Sequence, residues 1–283
     1  MKEITLNGAK FKVAANTMDE LKNEALGDKN GEMYKFLAEF NASEPDIFIL
    51  DGFATKENLE LKDGSNVVFI RRGAMPGREV LKAMIASRNS PELNAALASG
   101  CVGVAGLGGL GSNIALSLAR VGVKKLVLAD FDVVEPSNLN RQQYFVRHIG
   151  LKKTQALKEL INDVNPFVEV ETHDIFLDEK NVASVFGECE ILCEAFDNVA
   201  GKAMILNEAG ASLKDKKIIG ASGMAGYFSS NLIKTIKFAK NVYLCGDLTN
   251  EAKIGQGLMA PRVAVCANHE ANLAIRLLMG LEA

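Results

Sequence analysis

The first seventy residues alternate apolar and polar positions over short stretches, as the strands of a half-buried sheet do. Two such stretches in EITLNGAKFKV meet at Asn7-Gly8, a dipeptide typical of hairpin turns. The segment MDELKNEAL follows Asn16-Thr17 as a capped helix, and DIFILDG and SNVVFIRRG read as further strands. The pattern predicts a small α+β domain over residues 1–73.

In the next segment, residues 74–98, the apolar positions have the spacing that is typical of helices. The chain turns at Pro76-Gly77 and then carries two short helical patterns that are separated at Asn89-Ser90-Pro91. We interpret this segment as a helical connector between two domains.

From Cys101 onward, buried strand patterns alternate with helical patterns, which is typical of parallel βαβ units. Five parallel strands are expected, at CVGVAG, KKLVLAD, FVEVETHD, EILCEA and KKIIGAS. Beyond them, GYFSSNLIKTIKF predicts antiparallel strands and NHEANLAIRLLMG a long terminal helix. Residues 99–283 are therefore expected to form an α/β domain with a doubly wound, mainly parallel sheet.

Composition excludes several classes of protein. The net charge of −3 and the pI near 5.8 give no basic footprint, so we expect no nucleic-acid partner. The first residues lack the apolar core of a signal peptide and no apolar run is long enough to span a membrane, so we expect a cytoplasmic protein without membrane contact. The five cysteines include no CxxC pair, which argues against disulfides and a zinc ribbon.

A glycine-rich segment links the first parallel strand to its helix. The run from Gly106 to Gly111 fits G-x-G-x-x-G, in which glycines permit a tight turn and let phosphate approach the N–H groups of the helix N-terminus. Asp130 closes the next strand, where an acid can hydrogen-bond ribose hydroxyls. These residues alone would fit either a dinucleotide or a mononucleotide.

The loop after the second strand separates these possibilities. It reads DFDVVEPSNLNRQ over residues 130–142, and it is followed by Gly150-Leu151-Lys152-Lys153 and by Phe196-Asp197-Asn198. In order and spacing, these motifs resemble the ThiF, MoeB and ubiquitin-activating family over roughly Ser99 to Gly280. The resemblance is strongest to the ThiF-like branch, which adenylates the C-terminal glycine of a small ubiquitin-like sulfur carrier.

The resemblance implies a Rossmann-like, ATP-dependent adenylyltransferase that acts on a separate carrier with a Gly-Gly end in thiamin thiazole sulfur transfer. Its implied partners are that carrier and a second copy of the chain in a homodimer. The expected nucleotide contacts are Gly106, Gly108, Gly109, Gly111, Asp130, Ser137, Asn138, Asn140, Arg141, Lys153, Asp197 and Asn198.

Residue chemistry supports adenylation independently. A carboxylate that attacks an α-phosphate brings two anions together, so the site must supply cations and a metal. Arg141 offers a guanidinium fork, and Lys153 opens a helix whose dipole also favours phosphate. Asp197 follows a strand at the carboxyl edge of the sheet and is the expected Mg²⁺ ligand; its alternative role is a helix N-cap. Asp132 is expected either to help the metal or to brace the loop.

The chain departs from the family pattern in its C-terminal third. Relatives hold zinc with two CxxC pairs, but only Cys245 and Cys266 stand there, so we expect no zinc. Many relatives also carry a cysteine shortly before a G-x-M-A-P stretch, for a covalent link to the carrier. The segment before Gly257 reads EAKIGQ and has no cysteine, which puts this covalent step in doubt.

The second departure is the N-terminal domain. Residues 1–73 resemble a ThiS-type sulfur carrier, a ubiquitin-like β-grasp domain. A free carrier ends in Gly-Gly, whereas Gly73 continues into Ala74 and has no terminal carboxylate to adenylate. We therefore expect a docking or regulatory module rather than a substrate.

Three other functions compete with this hypothesis. Within the family, the carrier could be of the molybdopterin type. From a different class, a nucleotide-binding scaffold would dock partners without turnover, which the missing cysteine favours and the intact Arg141, Lys153 and Asp197 oppose. An NAD-dependent oxidoreductase is disfavoured because no proton donor stands in a recognisable motif.

Overall fold

The chain folds as two compact units, Met1–Ala95 and Ala96–Ala283, in a computed structural model that describes residues 1–282. Along the chain, two helices follow the strands of the first sheet and precede those of the second: α3 (Arg78–Ile85) and α4 (Pro91–Leu97). The 3₁₀ turn Ala86–Arg88 separates them. No helix within residues 1–282 combines the length and apolar character needed to cross a membrane.

The first unit has a five-stranded sheet. Its opening hairpin turns at Asn7 and Gly8, which both have positive φ. The Thr17 side chain accepts the N–H of Glu20 and so caps the first helix. The elements are β1 (Lys2–Leu6), β2 (Ala9–Val13), α1 (Met18–Leu26), α2 (Glu32–Glu39), β3 (Ile47–Leu50), β4 (Phe53–Ala54) and β5 (Asn66–Ile70).

The order of this sheet is β2-β1-β5-β3-β4, and β1 and β5 are parallel neighbours at its centre while the other pairs are antiparallel. Leu6, Leu21 and Phe69 are fully buried between the sheet and the helices. This arrangement is the ubiquitin-like fold expected from the sequence.

The second unit has a seven-stranded sheet in the order β11-β12-β10-β9-β6-β7-β8. Its elements are β6 (Cys101–Ala105), α5 (Gly109–Val121), β7 (Lys125–Asp130), α6 (Lys153–Val164), β8 (Glu169–Asp174), α7 (Val182–Val185), β9 (Ile191–Glu194), α8 (Val199–Ala209), β10 (Lys217–Ala221), β11 (Lys234–Ala239), β12 (Val242–Gly246) and α9 (Ala260–Leu278).

The sheet confirms the predicted doubly wound fold and adds one strand to it. Six strands run parallel rather than five, because β12 pairs parallel with β10 and only β11 is antiparallel. The prediction missed β12 because it follows β11 after a short turn, a spacing that resembles a simple hairpin.

Helices cover both faces of this sheet. α5 packs against α6 and α9, while α7 and α8 contribute to a core with β7, β9 and β10. The chain winds from β6 towards β8 in one direction and from β9 towards β12 in the other, so the strand order reverses between β6 and β9. Ligands of open α/β sheets bind at the carboxyl ends of the strands at such a reversal.

Candidate nucleotide site

Three glycines of the turn between β6 and α5 have different structural roles. Gly106 has a φ of +88°, which side chains rarely adopt. A Cβ on Gly111 would lie 1.8 Å from the carbonyl oxygen of Gly106, so the helix can pack only with glycine there. A Cβ on Gly108 would have only Gln142 Nε2 within 4 Å, at 3.8 Å, so the fold leaves space there. Gly108 lines the cleft, and that space suits a phosphate.

Asp130 anchors this turn to the following loop. Its Oδ2 accepts the N–H of Leu107 at 2.6 Å, and its Oδ1 accepts the N–H of Asp132 at 2.8 Å. Asp130 is only 9% exposed but lines the cleft. Because each carboxylate oxygen has a second lone pair, Asp130 can still accept a ribose hydroxyl.

Lys153 is the first residue of α6. It is buried, and it lines the wall of the cleft. Its Nζ lies 2.8 Å from Asp132 Oδ2, and its backbone N–H donates to the Asp132 carbonyl at 3.0 Å. Asp132 therefore holds Lys153 through both its side chain and its backbone, and the two roles expected for it, at the metal or in bracing the loop, stay predictions.

Arg141 follows the 3₁₀ turn Pro136–Asn138. Its Nη1 donates to the Ser137 carbonyl at 3.1 Å and to Asn140 Oδ1 at 2.9 Å. Asn138 caps the turn by accepting the N–H of Glu135, and Asn140 donates to the Leu258 carbonyl at 3.2 Å. Within residues 1–282, Arg141 has no carboxylate within ion-pair distance, so its charge is available to an anion.

Asp197 and Asn198 connect β9 to α8. Asn198 is the helix N-cap and accepts the N–H of Gly201 at 2.7 Å, so the capping role considered for Asp197 belongs to its neighbour. Asp197 is exposed, lines the cleft, and has no hydrogen bond or ion pair to the residues that the structure describes. Its carboxylate is available for a ligand.

The Asp197 carboxylate is suited to hold magnesium only when a bound substrate supplies further ligands. Residues 1–282 contain no group of three or more His, Cys, Asp or Glu that could hold a metal ion by themselves. Mg²⁺ is commonly held by one or two carboxylates plus substrate phosphates. The single carboxylate of Asp197 matches a site in which substrate phosphates supply the other ligands of the Mg²⁺ ion.

One cleft of about 930 Å³ joins these elements. It is lined by nine of the predicted site residues: Gly108, Gly109, Asp130, Ser137, Asn138, Arg141, Lys153, Asp197 and Asn198. Gly106 and Gly111 shape the turn behind it, and Asn140 lines a smaller neighbouring cleft of about 280 Å³. The roles of these residues toward a nucleotide stay predictions.

Sequence reasoning missed an ion pair in the wall of the cleft. Lys202 Nζ lies 3.1 Å from both carboxylate oxygens of Glu194 and 3.0 Å from the Ala221 carbonyl. Burial raises the pKa of Glu194, and Lys202 opposes this. Glu194 also accepts the N–H of Phe196 at 2.7 Å, so the pair holds the loop that carries Asp197. The sequence signal for this ion pair is Glu194, an acidic residue within the otherwise apolar segment ILCEA.

Two aromatic side chains at the mouth were also missed. Phe131 and Phe176 have ring centroids 5.3 Å apart, and both line the cleft although each is more than half exposed. Exposed aromatic rings beside a nucleotide cleft offer a surface on which a base can stack. No spacing in the sequence marks these two residues, because they follow different strands.

A doubly wound sheet with a glycine-rich turn at its strand reversal is typical of nucleotide-binding proteins, and the chain falls in the nucleotidyltransferase class. Residues 82–283 match the ThiF family, and residues 28–73 match the ThiS-like ubiquitin family. The chain belongs to the ThiF family and carries a ThiS-like ubiquitin domain before it.

Named relatives agree with this membership. The chain is 30% identical over 183 residues to the molybdopterin-synthase adenylyltransferase of Escherichia coli, covering 62% of this chain and 72% of that protein. It is 34% identical over 120 residues to the adenylyltransferase and sulfurtransferase MOCS3 of Aedes aegypti, covering 42% of this chain. The match spans only 27% of that mosquito protein's length.

Solved structures share the fold. The E. coli tRNA N6-threonylcarbamoyladenosine dehydratase TcdA in complex with ATP superimposes with a TM-score of 0.63 at 23% identity, over 70% of this chain and 93% of that one. E. coli MccB with ATP gives a TM-score of 0.51 at 19% identity, over 71% of this chain and 62% of that one. At these identities the likeness establishes the fold alone.

Proposed function

We propose that the chain is an ATP-dependent adenylyltransferase that activates the C-terminal glycine of a separate ubiquitin-like sulfur carrier ending in Gly-Gly. The observation that carries this proposal is one cleft that is lined by the start of α5, by Arg141 and by Asp197, and neither of these two side chains forms an ion pair within residues 1–282. A phosphate chain needs donors and cations, and its bound metal needs a carboxylate.

In the proposed reaction, a carboxylate oxygen of the carrier attacks the α-phosphorus of ATP, and the bond to the β,γ-diphosphate breaks. The products are a carrier acyl-adenylate and pyrophosphate, so no oxidant or further reactant is needed. The N–H groups at the start of α5, with Gly108 facing the cleft, would bind phosphate oxygens. Asp130 would hold the ribose.

Arg141 and Lys153 would stabilise the charge that develops on the α-phosphate and on the departing pyrophosphate. Preformed contacts orient both cations, Arg141 by the Ser137 carbonyl and Lys153 by Asp132, so little rearrangement is required when ATP binds. Asp197 would hold magnesium, which supplies charge neutralisation on the phosphates when bound.

The proposed carrier takes part in thiamin thiazole sulfur transfer in the cytoplasm, where ATP is available. The ThiS-like domain in the same chain supports a ThiS-type carrier. A molybdopterin-type carrier is the second candidate, favoured by the E. coli relative named above. A nucleotide-binding scaffold would retain the cleft but produce no acyl-adenylate.

The N-terminal domain is proposed to dock a partner rather than to serve as substrate. Gly73 has a φ of +71° and continues through a peptide bond into Ala74, so it offers no free carboxylate. Intact-mass spectrometry of the chain incubated with ATP tests this directly. An unmodified 283-residue chain is expected, and a fragment ending at Gly73 and carrying AMP would contradict it.

The proposed activity is tested by incubating the chain with ATP, magnesium and a ThiS-type or a molybdopterin-type carrier, each ending in Gly-Gly. Mass spectrometry should find one AMP added to the ThiS-type carrier, and no addition when its last glycine is deleted. Addition to the molybdopterin-type carrier alone would replace the thiamin assignment. ATP binding with no adduct on either carrier would favour the scaffold.

A further inference from the structure

Tyr144 lies outside the cleft wall, 4% exposed, between two backbone segments of the site. Its hydroxyl donates to the carbonyl oxygen of Leu107, in the glycine turn, at 2.8 Å. The carbonyl oxygen of Lys153, at the start of α6, lies 3.5 Å from the same hydroxyl. A single buried group therefore contacts both the turn and the helix that carry the candidate phosphate ligands.

These contacts complete a ring in which every link except the 3.5 Å contact with the Lys153 carbonyl is a hydrogen bond, because the phenol has one proton and donates it to Leu107. The N–H of Leu107 donates to Asp130, and the N–H of Asp132 donates to the same carboxylate. The N–H of Lys153 in turn donates to the Asp132 carbonyl at 3.0 Å. Tyr144 joins Lys153 back to Leu107, so the glycine turn, the loop after β7 and the first turn of α6 are held in one circuit.

The hydroxyl is suited to remain a donor in this ring. Burial raises the pKa of Tyr144, and the carboxylates of Asp130 and Asp132 raise it further, so the phenol keeps its proton. The ring of Tyr144 packs edge-on against His148, with 6.3 Å between centroids, and this contact supports the position of the phenol. Without that donor the Leu107 carbonyl would lose a buried hydrogen bond.

We propose that Tyr144 is a positioning residue for the nucleotide: its hydroxyl sets the distance between the glycine turn and Lys153, so that the start of α5 and the lysine meet the same phosphate chain. The inference rests on the proposed ATP site. A phosphate held from two sides binds well only while both sides keep their spacing, and small misplacements are costly in such sites.

Tyr144→Phe removes only the hydroxyl and tests this role. The matched control is Tyr243→Phe, since Tyr243 is also fully buried in the second unit, and its hydroxyl has no hydrogen-bond partner among residues 1–282. Calorimetric titration of the full chain with ATP requires no carrier. We expect about tenfold weaker ATP binding for Tyr144→Phe and wild-type binding for Tyr243→Phe.

Hydrogen exchange separates positioning from general stability. The Leu107 amide should exchange faster in Tyr144→Phe, while amides of β10 keep their wild-type rates. Wild-type ATP binding by Tyr144→Phe, failure of that variant to fold, or equal weakening by Tyr243→Phe would each overturn the proposal. A wild-type chain that binds ATP but forms no carrier adenylate would contradict the proposed function while the role of Tyr144 is still decided by titration.

Discussion

Lys153 and Asp132 form an ion pair across the candidate site, with 2.8 Å between Nζ and Oδ2, although the side chain of Lys153 is 8% exposed and that of Asp132 is 48% exposed. The lysine is thus buried and the aspartate is half solvated. An incoming phosphate can share the ammonium without burying a second charge. The ion pair keeps the ammonium group of Lys153 in place for the nucleotide. It contributes little to the stability of the fold, because the Asp132 carboxylate is half solvated.

Lys153→Ala should therefore slow adenylation about tenfold to a thousandfold while the domain stays folded, because it removes a cation from the transition state. The measurement is the rate of pyrophosphate–ATP exchange, with circular dichroism as the check on folding. Lys152→Ala is the matched control, since Lys152 is the adjacent residue and is half exposed. Equal rates in both variants would remove Lys153 from the mechanism.

Arg141→Ala should lower the exchange rate over the same range, and Arg141→Lys should restore only part of it because a lysine lacks the planar fork. Arg147→Ala serves as control: its guanidinium is exposed and lies 3.8 Å from Asp163 on the surface. An Arg141→Ala variant with the wild-type rate would refute the assignment.

Asp197→Ala should abolish magnesium-dependent exchange without unfolding the protein, because the carboxylate is exposed and has no hydrogen bond to lose within residues 1–282. Asp215→Ala removes an exposed carboxylate that precedes β10, at the opposite edge of the sheet, and should behave as wild type. Raising the magnesium concentration should not rescue Asp197→Ala. Near-normal exchange in the folded variant would exclude Asp197 as the ligand.

Much of this site could be predicted because its signals are local. The glycine turn, Asp130 at the end of β7 and Lys153 at the start of α6 are each marked by neighbours in sequence. The ring through Tyr144 could not be predicted, because its hydroxyl meets Leu107 only after β7 and α6 have packed. No periodic pattern records such a contact.

The Glu194–Lys202 pair and the strand β12 were missed for related reasons. Glu194 and Lys202 belong to a strand end and a helix, and only the turn between them brings the two charges together. The pairing of β12 with β10 depends on the chain between them folding back, which the short apolar run of β12 does not specify. Most elements were predictable, whereas the strand β12 and the contacts between side chains on different elements were not.

Asp247, a buried carboxylate near the cleft that pairs with Arg262, predicts a pH dependence of stability. The side chains of Arg262 and Asp247 are 2% and 3% exposed, and Asp247 also holds the turn that brings Asn250 to the cleft. Burial raises the pKa of Asp247, but hydrogen bonds from Asn250 and Thr249 outweigh it and lower the pKa to about 2 from an ordinary 3.8. A lowered pKa gives stability that is present above pH 3.8 and is lost as the pH falls towards 2.

Asp247→Asn should therefore cost about 3 kcal/mol at pH 6, since it leaves the Arg262 guanidinium buried without its counter-ion. The difference from wild type should shrink at pH 3, because the aspartate of the unfolded wild-type chain is mostly protonated there whereas that of the folded chain is not. Calorimetric unfolding at the two pH values measures both differences. A difference that stays constant or grows at pH 3 would contradict the lowered pKa of Asp247.

The most direct test of the central claim is pyrophosphate–ATP exchange by the full chain, measured with and without a ThiS-type carrier that ends in Gly-Gly. Adenylation of the carrier is reversible, so labelled pyrophosphate should enter ATP only when chain, magnesium and carrier are all present. Deleting the carrier's last glycine should return exchange to background. Exchange that is absent with every Gly-Gly carrier, in a chain that binds ATP, would contradict the account.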